Sequence, residues 1–254
     1  MLKLHQYKFR EEYTYYMLQA LKEGEREGFR KDFLNLHPSD QTDFFLTLDH
    51  QRRQRIYTLL SPAEFGEIFS ELVPSRQTNI IQELDQTYAV EMLNDLPSDD
   101  ATDFFGLLSH KQADFFLERM EKEEAEDIKH LLAYPKGSAG SLMTTDIYTI
   151  DGADTVTKVL NDLRLMTSDA ETIYYLYVTD HNKRLLGVVS LRQLIVASAE
   201  QLILHLMSSK LIAASPDTPR AEIVGTIKRY GLLAVPVVTP DNVLMGIVTF
   251  DDVV

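Results

Sequence analysis

The 254-residue sequence contains no cysteine, so disulfides, thiolate metal sites and cysteine nucleophiles are all excluded. This composition fits a reducing cytoplasm. The seven histidines are scattered singly, without the HxxxH or HExxH spacing of zinc and iron sites. There is also no glycine-rich phosphate loop, no GxSxG motif and no histidine–carboxylate nucleophile arrangement. The sequence therefore predicts a protein that is not an enzyme.

Long apolar runs are missing as well. No window approaches the roughly 18 consecutive apolar residues that a membrane-spanning helix needs. The charges of Lys3, Arg10, Glu11 and Glu12 leave no room for the apolar core of a signal peptide. We therefore expect this chain by itself to be soluble.

Basic residues are fewer than acidic ones, and the excess of acids is larger in the first half of the chain. The net charge is −14, and residues 1–135 hold 26 acids against 15 bases. Residues 136–254 are closer to balance, with 13 acids against 10 bases. Because an acidic surface repels phosphate backbones, nucleic acid is not an expected partner, whereas cations or basic proteins are.

The first half of the sequence is typical of short helices. Helix-start signals recur about every 12 residues, each with a proline suited to the first turn or a serine or aspartate suited to the N-cap. The signals are His37-Pro38-Ser39, Asp49-His50, Ser61-Pro62, Val73-Pro74-Ser75, Asp85-Gln86-Thr87, Leu96-Pro97-Ser98 and Ser109-His110. Apolar residues fill the intervals. The pattern predicts an all-α superhelical domain over residues 1–134, wound with either hand.

The second half consists of two similar segments. Proline, glycine and serine in residues 134–141 mark a hinge or linker before it. Each segment then has the order strand, helix, strand, strand, helix, in about 60 residues. The corresponding stretches are Tyr174–Val178 and Leu233–Val238, Arg184–Ser190 and Val243–Thr249, and Leu191–Ile195 and Phe250–Val254. We predict two α/β repeats, over residues 135–200 and 201–254.

These repeats resemble the CBS domain, present as a tandem pair. The most specific string is Gly246–Asp252, which fits the family pattern of a glycine, a strand and then Ser/Thr-x-x-Asp. The resemblance implies one α/β module that forms a homodimer and binds regulatory ligands between the repeats. The fold class is therefore multidomain, with an all-α superhelical domain followed by an α/β CBS pair.

A sharper resemblance joins both halves. The strings Ser138–Thr144, Asp169–Val178 and Gly187–Arg192, together with the acidic helical domain, are similar to the MgtE-type magnesium transporters. In that family a cytosolic helical domain and CBS pair precede a connecting helix and a membrane-embedded, Mg²⁺-conducting dimer. The resemblance implies a place at the cytoplasmic face of the membrane. Because the sequence stops at Val254, inside the last CBS helix, we expect a fragment whose pore domain is absent.

Acidic residues are concentrated between Arg76 and Lys111, where 34 residues include no lysine or arginine but seven acids. Mg²⁺ prefers oxygen ligands and retains several waters, so one or two carboxylates from each of two facing surfaces suffice to hold it. The alternative is that acids such as Asp99 and Asp100 only stabilise the start of a helix.

The resemblance implies specific metal ligands. Acids at positions matching Glu67, Asp99 and Asp103 face the CBS pair and share ions with it, and Asp100 is a near neighbour. On the CBS side the matching acids are Asp251 and Asp252. Asp252 is the preferred ion-bridging partner of Asp99, with capping of the helix after Thr249 as the alternative role. Two further family acids are replaced here, by Gly231 and near Pro219, which leaves the number of ions open.

ATP is the second candidate ligand. The resemblance implies that Thr249 and Asp252 occupy positions that contact ribose in CBS domains. It also implies that Tyr175, Arg192, Val235 and Pro236 line the cleft, and Arg192 is suited to meet a phosphate. In the first repeat Gln193 replaces the corresponding carboxylate, so only one of the two clefts is expected to be equipped. The alternative is that these residues cap a helix and fill the core.

Three functional hypotheses follow. In the first, Mg²⁺ ions bridge the helical domain and the CBS pair and thereby close the pore of a magnesium transporter at high Mg²⁺. In the second, the CBS pair senses an adenine nucleotide. In the third, the chain is a passive dimerisation scaffold whose acids only keep it in solution.

Overall fold

The structure is a computed structural model that describes residues 10–23, 26–166 and 174–253. The part of the resemblance string at residues 169–173 lies outside the described residues. The chain divides into two compact units. The first comprises residues 1–96 and 103–125, and the second comprises residues 97–102 and 126–254. The sequence predicts the division at residue 134, whereas this division places the end of the helical half in the second unit.

The helices of the first half are short and follow one another closely. They are α1 (Arg10–Glu23), α2 (Arg26–Phe33), α3 (Pro38–Leu46), α4 (His50–Leu59), α5 (Pro62–Ser70), α6 (Pro74–Ile80), α7 (Gln86–Asp95), α8 (Ser98–Phe105), α9 (His110–Leu117) and α10 (Lys122–Leu132). From α3 to α10 each helix begins 12 residues after the previous one. The predicted repeat is therefore confirmed, and it extends one helix further than the sequence signals indicated.

The N-caps explain why the helices start where they do. The carboxylate of Asp49 accepts a hydrogen bond from the backbone of Arg52, and Ser61 forms a capping box with Glu64. At α7 the carboxylate of Asp85 accepts from the backbone. Each of these caps satisfies an N–H group that has no partner inside its helix, which stabilises the start by roughly 1 kcal/mol.

Phenylalanine rings form the core of the first unit. Phe29 and Phe33 are stacked, with ring centroids 5.2 Å apart, and Phe45 meets Phe65 edge-to-face at 5.3 Å. Among the described residues, eight of these rings are at most 2% exposed. They are Phe29, Phe33, Phe44, Phe45, Phe65, Phe69, Phe104 and Phe105. Such rings bury a large apolar area each, so short helices that would be marginal alone are stable together.

Two bidentate ion pairs stabilise this unit, one between α2 and α5 and one between α4 and the turn after α6. The guanidinium of Arg30 donates to both carboxylate oxygens of Glu64, at 2.7 and 2.6 Å. Arg53 donates to both oxygens of Glu83, at 2.9 and 2.6 Å, and the hydroxyl of Tyr57 donates to the same carboxylate. Burial raises the pKa of Glu83, but the hydrogen bonds and charge of Arg53 outweigh it and hold that pKa below its usual range. Both pairs therefore stabilise the charged forms.

The second unit is built on two small sheets. Its helices are α11 (Ala139–Leu142), α12 (Val156–Leu165), α13 (Leu191–Val196), α14 (Ile203–Leu206), α15 (Arg220–Tyr230) and α16 (Phe250–Val253). Its strands are β1 (Thr149–Asp151), β2 (Tyr175–Thr179), β3 (Leu185–Ser190), β4 (Ala234–Val238) and β5 (Leu244–Thr249). β1 is parallel to β2, β2 is antiparallel to β3, and β4 is antiparallel to β5. The predicted order holds in both repeats, except that the first strand of the second repeat is reduced to one bridge at Ala214.

Each repeat begins by pairing with the other repeat. Thr144, at the start of the first, exchanges two backbone hydrogen bonds with Ile247 of β5, at 2.9 and 3.0 Å. Ser208, at the start of the second, exchanges two with Val188 of β3, at 3.0 and 2.9 Å. The two repeats are therefore joined to each other by backbone hydrogen bonds at both starts.

Two details differ from the sequence-based prediction. Tyr174 and Leu233, predicted as the first residues of buried strands, precede β2 and β4 and are 63% and 47% exposed. The expected linker at residues 134–141 is docked inside the second unit, because Ala139 and Gly140 donate backbone hydrogen bonds of 2.8 Å to the second repeat.

Within the part of the chain that the structure describes, no helix has both the length and the apolar character that crossing a membrane requires.

Gly246 is required by the close approach of the Thr144 backbone. A Cβ at Gly246 would lie 2.5 Å from the carbonyl oxygen of Thr144, whereas a Cβ at Gly225, inside α15, would meet nothing within 4 Å. We expect Gly246→Ala to destabilise the protein by about 2 kcal/mol through overpacking. The control Gly225→Ala should stabilise it by about 0.5–1 kcal/mol, because glycine is a poor helix former. Thermal unfolding of both variants checks this, and equal stabilities would contradict the close approach.

Candidate functional site

Two of the predicted ion ligands lie in the first turn of α8. Asp99 and Asp100 are partly buried there, and both belong to the second unit. Asp103, one turn later on the same helix, is exposed and belongs to the first unit. The residue before α8 is Pro97, whose side chain offers no acceptor, so the start of this helix depends on a cap from elsewhere.

That cap is provided by a group of buried and partly buried polar side chains, which we name the Ser98 cluster. It consists of Ser98, Asp127, Thr144, Thr145 and Asp146. Asp146 Oδ2 accepts a 2.8 Å hydrogen bond from the backbone N–H of Ser98. The Ser98 hydroxyl oxygen accepts from the backbone N–H of Thr145, at 2.8 Å. Since Ser98 is 2% and Thr144 is 0% exposed, these bonds replace the water that the groups lost on burial.

The acids on the CBS side lie at the start of α16, directly after β5. The carboxylate of Asp252 accepts from the backbone N–H of Thr249, at 3.2 Å, and forms a short hydrogen bond with the Thr249 hydroxyl. Thr249 itself is 4% exposed. Asp252 is partly buried, and Asp251 is exposed. The alternative role as a helix cap is therefore confirmed for Asp252, and its role as an ion ligand stays a prediction.

The predicted ion ligands are shared between the two units. Glu67, on α5, is exposed and belongs with Asp103 to the first unit, whereas Asp99, Asp100, Asp251 and Asp252 belong to the second. Over residues 10–23, 26–166 and 174–253, no three acidic or histidine side chains form a group that could hold a metal ion. The ion site therefore stays a prediction.

The acid-bearing turns of α8 and α16 are connected inside the second unit. The Thr144 hydroxyl lies 3.2 Å from the Ser98 hydroxyl and donates a hydrogen bond of 3.2 Å to Asp146. The backbone of Thr144 pairs with Ile247, two residues before Thr249. A continuous series of hydrogen bonds and one strand therefore leads from the start of α8 to the start of α16.

A pocket of about 400 Å³ lies between the first repeat and Leu233. It is lined by Tyr174, Tyr175, Ser190, Leu191, Arg192, Ile195, Val196 and Leu233. Its wall is mostly apolar, which suits a flat ring, and the exposed Arg192 provides a charged donor. Two of the predicted nucleotide-binding residues, Tyr175 and Arg192, are therefore brought together.

The other predicted nucleotide-binding residues do not line this pocket. Val235 is 1% exposed and packs in the core, Pro236 is buried in β4, and Thr249 and Asp252 cap α16. In the first repeat the Gln193 side chain accepts from Ser190 and donates to the carbonyl of Leu206. The sequence missed Ile195 and Val196 as lining residues, although two adjacent apolar residues at the end of a short helix are a signal for an exposed apolar surface.

Comparisons with known proteins relate the whole chain to one group of transporters. Residues 36–137 match the family described as the MgtE intracellular N domain, and residues 139–200 and 203–254 match the CBS domain. The magnesium transporter MgtE of Enterococcus faecalis (strain ATCC 700802 / V583) is 36% identical over 240 residues. This similarity covers 94% of the chain and 53% of that protein.

Two crystal structures are similar over nearly their full length. The soluble part of a magnesium transporter superposes with a TM-score of 0.93 at 36% identity, covering 96% of both chains. The cytosolic domain of the Mg²⁺ channel MgtE in complex with ATP superposes with a TM-score of 0.85 at 32% identity, covering 94% of this chain and 98% of the other. The chain spans about half the length of the curated relatives it matches, 53%, 52% and 53% of three of them.

Proposed function

The chain belongs to the MgtE family of magnesium transporters, and from this premise we propose that it is the Mg²⁺-sensing regulatory region of such a transporter. In this proposal Mg²⁺ ions bind between the acidic face of the helical domain and the CBS pair. The ligands are Glu67, Asp99, Asp100 and Asp103 on one side and Asp251 and Asp252 on the other. At high Mg²⁺ the chain compacts, and the pore of the complete protein closes.

The observation that carries this proposal is the division of its acids between the two units. Glu67 and Asp103 belong to the first unit, whereas Asp99, Asp100, Asp251 and Asp252 belong to the second. Two carboxylates about 4 Å apart repel by roughly 4 kcal/mol at an effective dielectric near 20. A divalent cation between them converts repulsion into attraction, so acidic surfaces close only when the ion is present. Differential binding of this kind is what a switch between two states needs.

The relatives, which are named magnesium transporters, support two further parts of the proposal. The chain acts at the cytoplasmic face of the membrane on a pore domain of the same polypeptide. Its role is regulatory, and it catalyses no reaction.

A homodimer through the CBS pair is part of the same proposal. Four residues around the pocket form a contiguous apolar surface that is largely exposed: Tyr174 at 63%, Ile195 at 67%, Val196 at 77% and Leu233 at 47%. Exposed apolar surfaces of this kind mark sites of protein association. A second copy of the chain is the partner that would cover it.

Small-angle X-ray scattering of the 254-residue chain tests the proposal directly. MgCl₂ is titrated from zero to about 20 mM while NaCl is adjusted to keep ionic strength constant, because simple screening also weakens repulsion between acids. We expect the radius of gyration to fall only in the Mg²⁺ series. Identical curves in the Mg²⁺ and NaCl series would count against ion-bridged closure and leave a passive scaffold as the simpler function.

ATP binding is the second candidate, and the pocket with Tyr175 and Arg192 favours it. The ring of Tyr175 suits stacking on adenine, and Arg192 suits a phosphate. The similar cytosolic domain described above was crystallised with ATP. Isothermal titration with ATP separates the candidates. Binding that is weakened in Arg192→Ala, together with an absence of Mg²⁺-dependent compaction, would make nucleotide sensing the main function.

A further inference from the structure

The start of α8 is capped differently from the starts of α4, α5 and α7 in the same 12-residue series. At α4, α5 and α7 the residue directly before the helix accepts the hydrogen bond, through Asp49, Ser61 and Asp85. At α8 this position is Pro97, and the acceptor is Asp146, 48 residues further along the chain. The first turn of α8, which contains Asp99 and Asp100, is therefore held by a residue of the first CBS repeat.

The remainder of the Ser98 cluster makes this cap rigid. The Thr145 hydroxyl donates to the Ser98 hydroxyl at 3.0 Å and lies 3.4 Å from a carboxylate oxygen of Asp127 on α10. Asp146 also accepts from the Thr144 hydroxyl, at 3.2 Å. Because Ser98 and Thr144 are buried and hydrogen-bonded within the cluster, moving either of them leaves a buried polar group unsatisfied.

The cluster is also connected to the start of α16. Thr144 is bound to Ile247 through both backbone groups, and a side chain at Gly246 would prevent this approach. β5 continues through Ile247 to Thr249, whose backbone N–H donates a hydrogen bond to the Asp252 carboxylate at the start of α16. The Asp146 side chain therefore lies at one end of a short, fully bonded path whose other end is the start of α16.

We propose that Asp146 is a positioning residue of the Mg²⁺ sensor, which holds Asp99 and Asp100 in place by capping α8 and does not itself bind the ion. This rests on the proposed function, since it concerns the same acids. The physical reason is that an uncapped first turn populates several backbone arrangements, and only a fraction of them presents the carboxylates correctly. The affinity of a site falls in proportion to that fraction.

Two substitutions separate positioning from ion binding. Asp146→Asn retains an oxygen that can accept from the Ser98 N–H but loses the charge, whereas Asp146→Ala loses both. We expect Asp146→Ala to weaken Mg²⁺ binding about fivefold, which is the factor that a typical N-cap loss corresponds to. Asp146→Asn should stay within about twofold of the unsubstituted chain. Isothermal titration with MgCl₂ measures the Mg²⁺ affinity of the unsubstituted chain and of both variants.

The matched control is Asp85→Ala, which removes one N-cap carboxylate in the first unit and none of the proposed ligands. It should cost similar stability and leave Mg²⁺ affinity unchanged. Asp146→Ala with unchanged affinity would overturn the positioning role. Equal weakening by Asp146→Asn and Asp146→Ala would overturn it too, because the charge and not the cap would then matter.

Asp252→Asn distinguishes failure of the inference from failure of the proposed function. If Asp252→Asn weakens Mg²⁺ binding and Asp146→Ala does not, only the positioning role fails. If neither changes it, the sensor itself fails. Should Asp146→Ala not fold, Ser98→Ala provides a second measurement, since it keeps the backbone cap but removes the hydroxyl that bonds Thr145. We expect about threefold weaker binding, and unchanged binding would count against the cluster.

Discussion

Asp252→Asn should shift the Mg²⁺ concentration at the midpoint of compaction upward by at least about tenfold. The substitution removes one negative charge from the proposed ion site, and a charge pair at 4 Å is worth roughly 4 kcal/mol at an effective dielectric near 20. Solvent and neighbouring acids reduce this interaction energy. A remaining loss of about 1.4 kcal/mol already corresponds to a tenfold change in Mg²⁺ affinity. The asparagine oxygen can still accept from Thr249, so the cap on α16 is kept. The radius of gyration, followed by X-ray scattering during an MgCl₂ titration, measures the shift.

Asp241→Asn is the matched control for this prediction. Asp241 is an exposed acid in the turn between β4 and β5 of the same unit, and it is not among the proposed ligands. Both substitutions change the net charge by the same amount, so a general effect of charge would move both midpoints equally. A midpoint in Asp252→Asn that equals that of Asp241→Asn would remove Asp252 from the ion site.

Glu83→Ala should destabilise the first unit by about 3 kcal/mol. The carboxylate accepts two hydrogen bonds from Arg53 and one from Tyr57, and the side chains of Arg53 and Glu83 are only 19% and 16% exposed. Removing one partner leaves the charge of Arg53 poorly hydrated, which is the costly case for a largely buried pair. The measurement is chemical or thermal unfolding followed by the helical circular dichroism signal.

The pH dependence of this variant provides an independent check. In the folded chain the pKa of Glu83 lies below its usual value of 4.5. A lowered carboxyl pKa contributes stability that is present above the unfolded-state value and lost as the pH falls through the folded-state value. The stability difference between the unsubstituted chain and Glu83→Ala should therefore be full at neutral pH and shrink below about pH 4.5.

Arg52→Gln is the control for Glu83→Ala. Arg52 pairs with Asp49 at 3.3 Å, but the two side chains are 55% and 59% exposed. An exposed pair of this kind contributes less than about 1 kcal/mol, because water and salt screen it. A loss of stability in Arg52→Gln as large as that in Glu83→Ala would show that burial does not determine the strength of these pairs.

Much of the architecture can be read from local sequence signals. The 12-residue series was predictable because Asp49, Ser61 and Asp85 cap helices that start one residue later, so cap and helix are neighbours in the sequence. The CBS repeats were predictable because strand patterns and the Gly246–Asp252 string occur within short windows. For the same reason the sequence identified the family.

The sequence also identified Tyr175 and Arg192 as neighbours in one pocket, but it placed Val235 there as well. Val235 is buried in the core of the second unit. Alternation along a strand indicates that its residues point to two faces, but it does not say which face is covered. Packing against α15 and its neighbours decides that.

By itself the sequence determined the repeat length, the two halves, the family and the acidic residues that are candidates for binding Mg²⁺. Only the tertiary structure decided that the first turn of α8 belongs to the second unit and that Asp146 caps it across 48 residues. The physical reason is the separation of the capping partners along the sequence. A cap within one turn is set by the backbone between its partners, whereas a cap between distant residues exists only after the Thr144 segment has paired with β5.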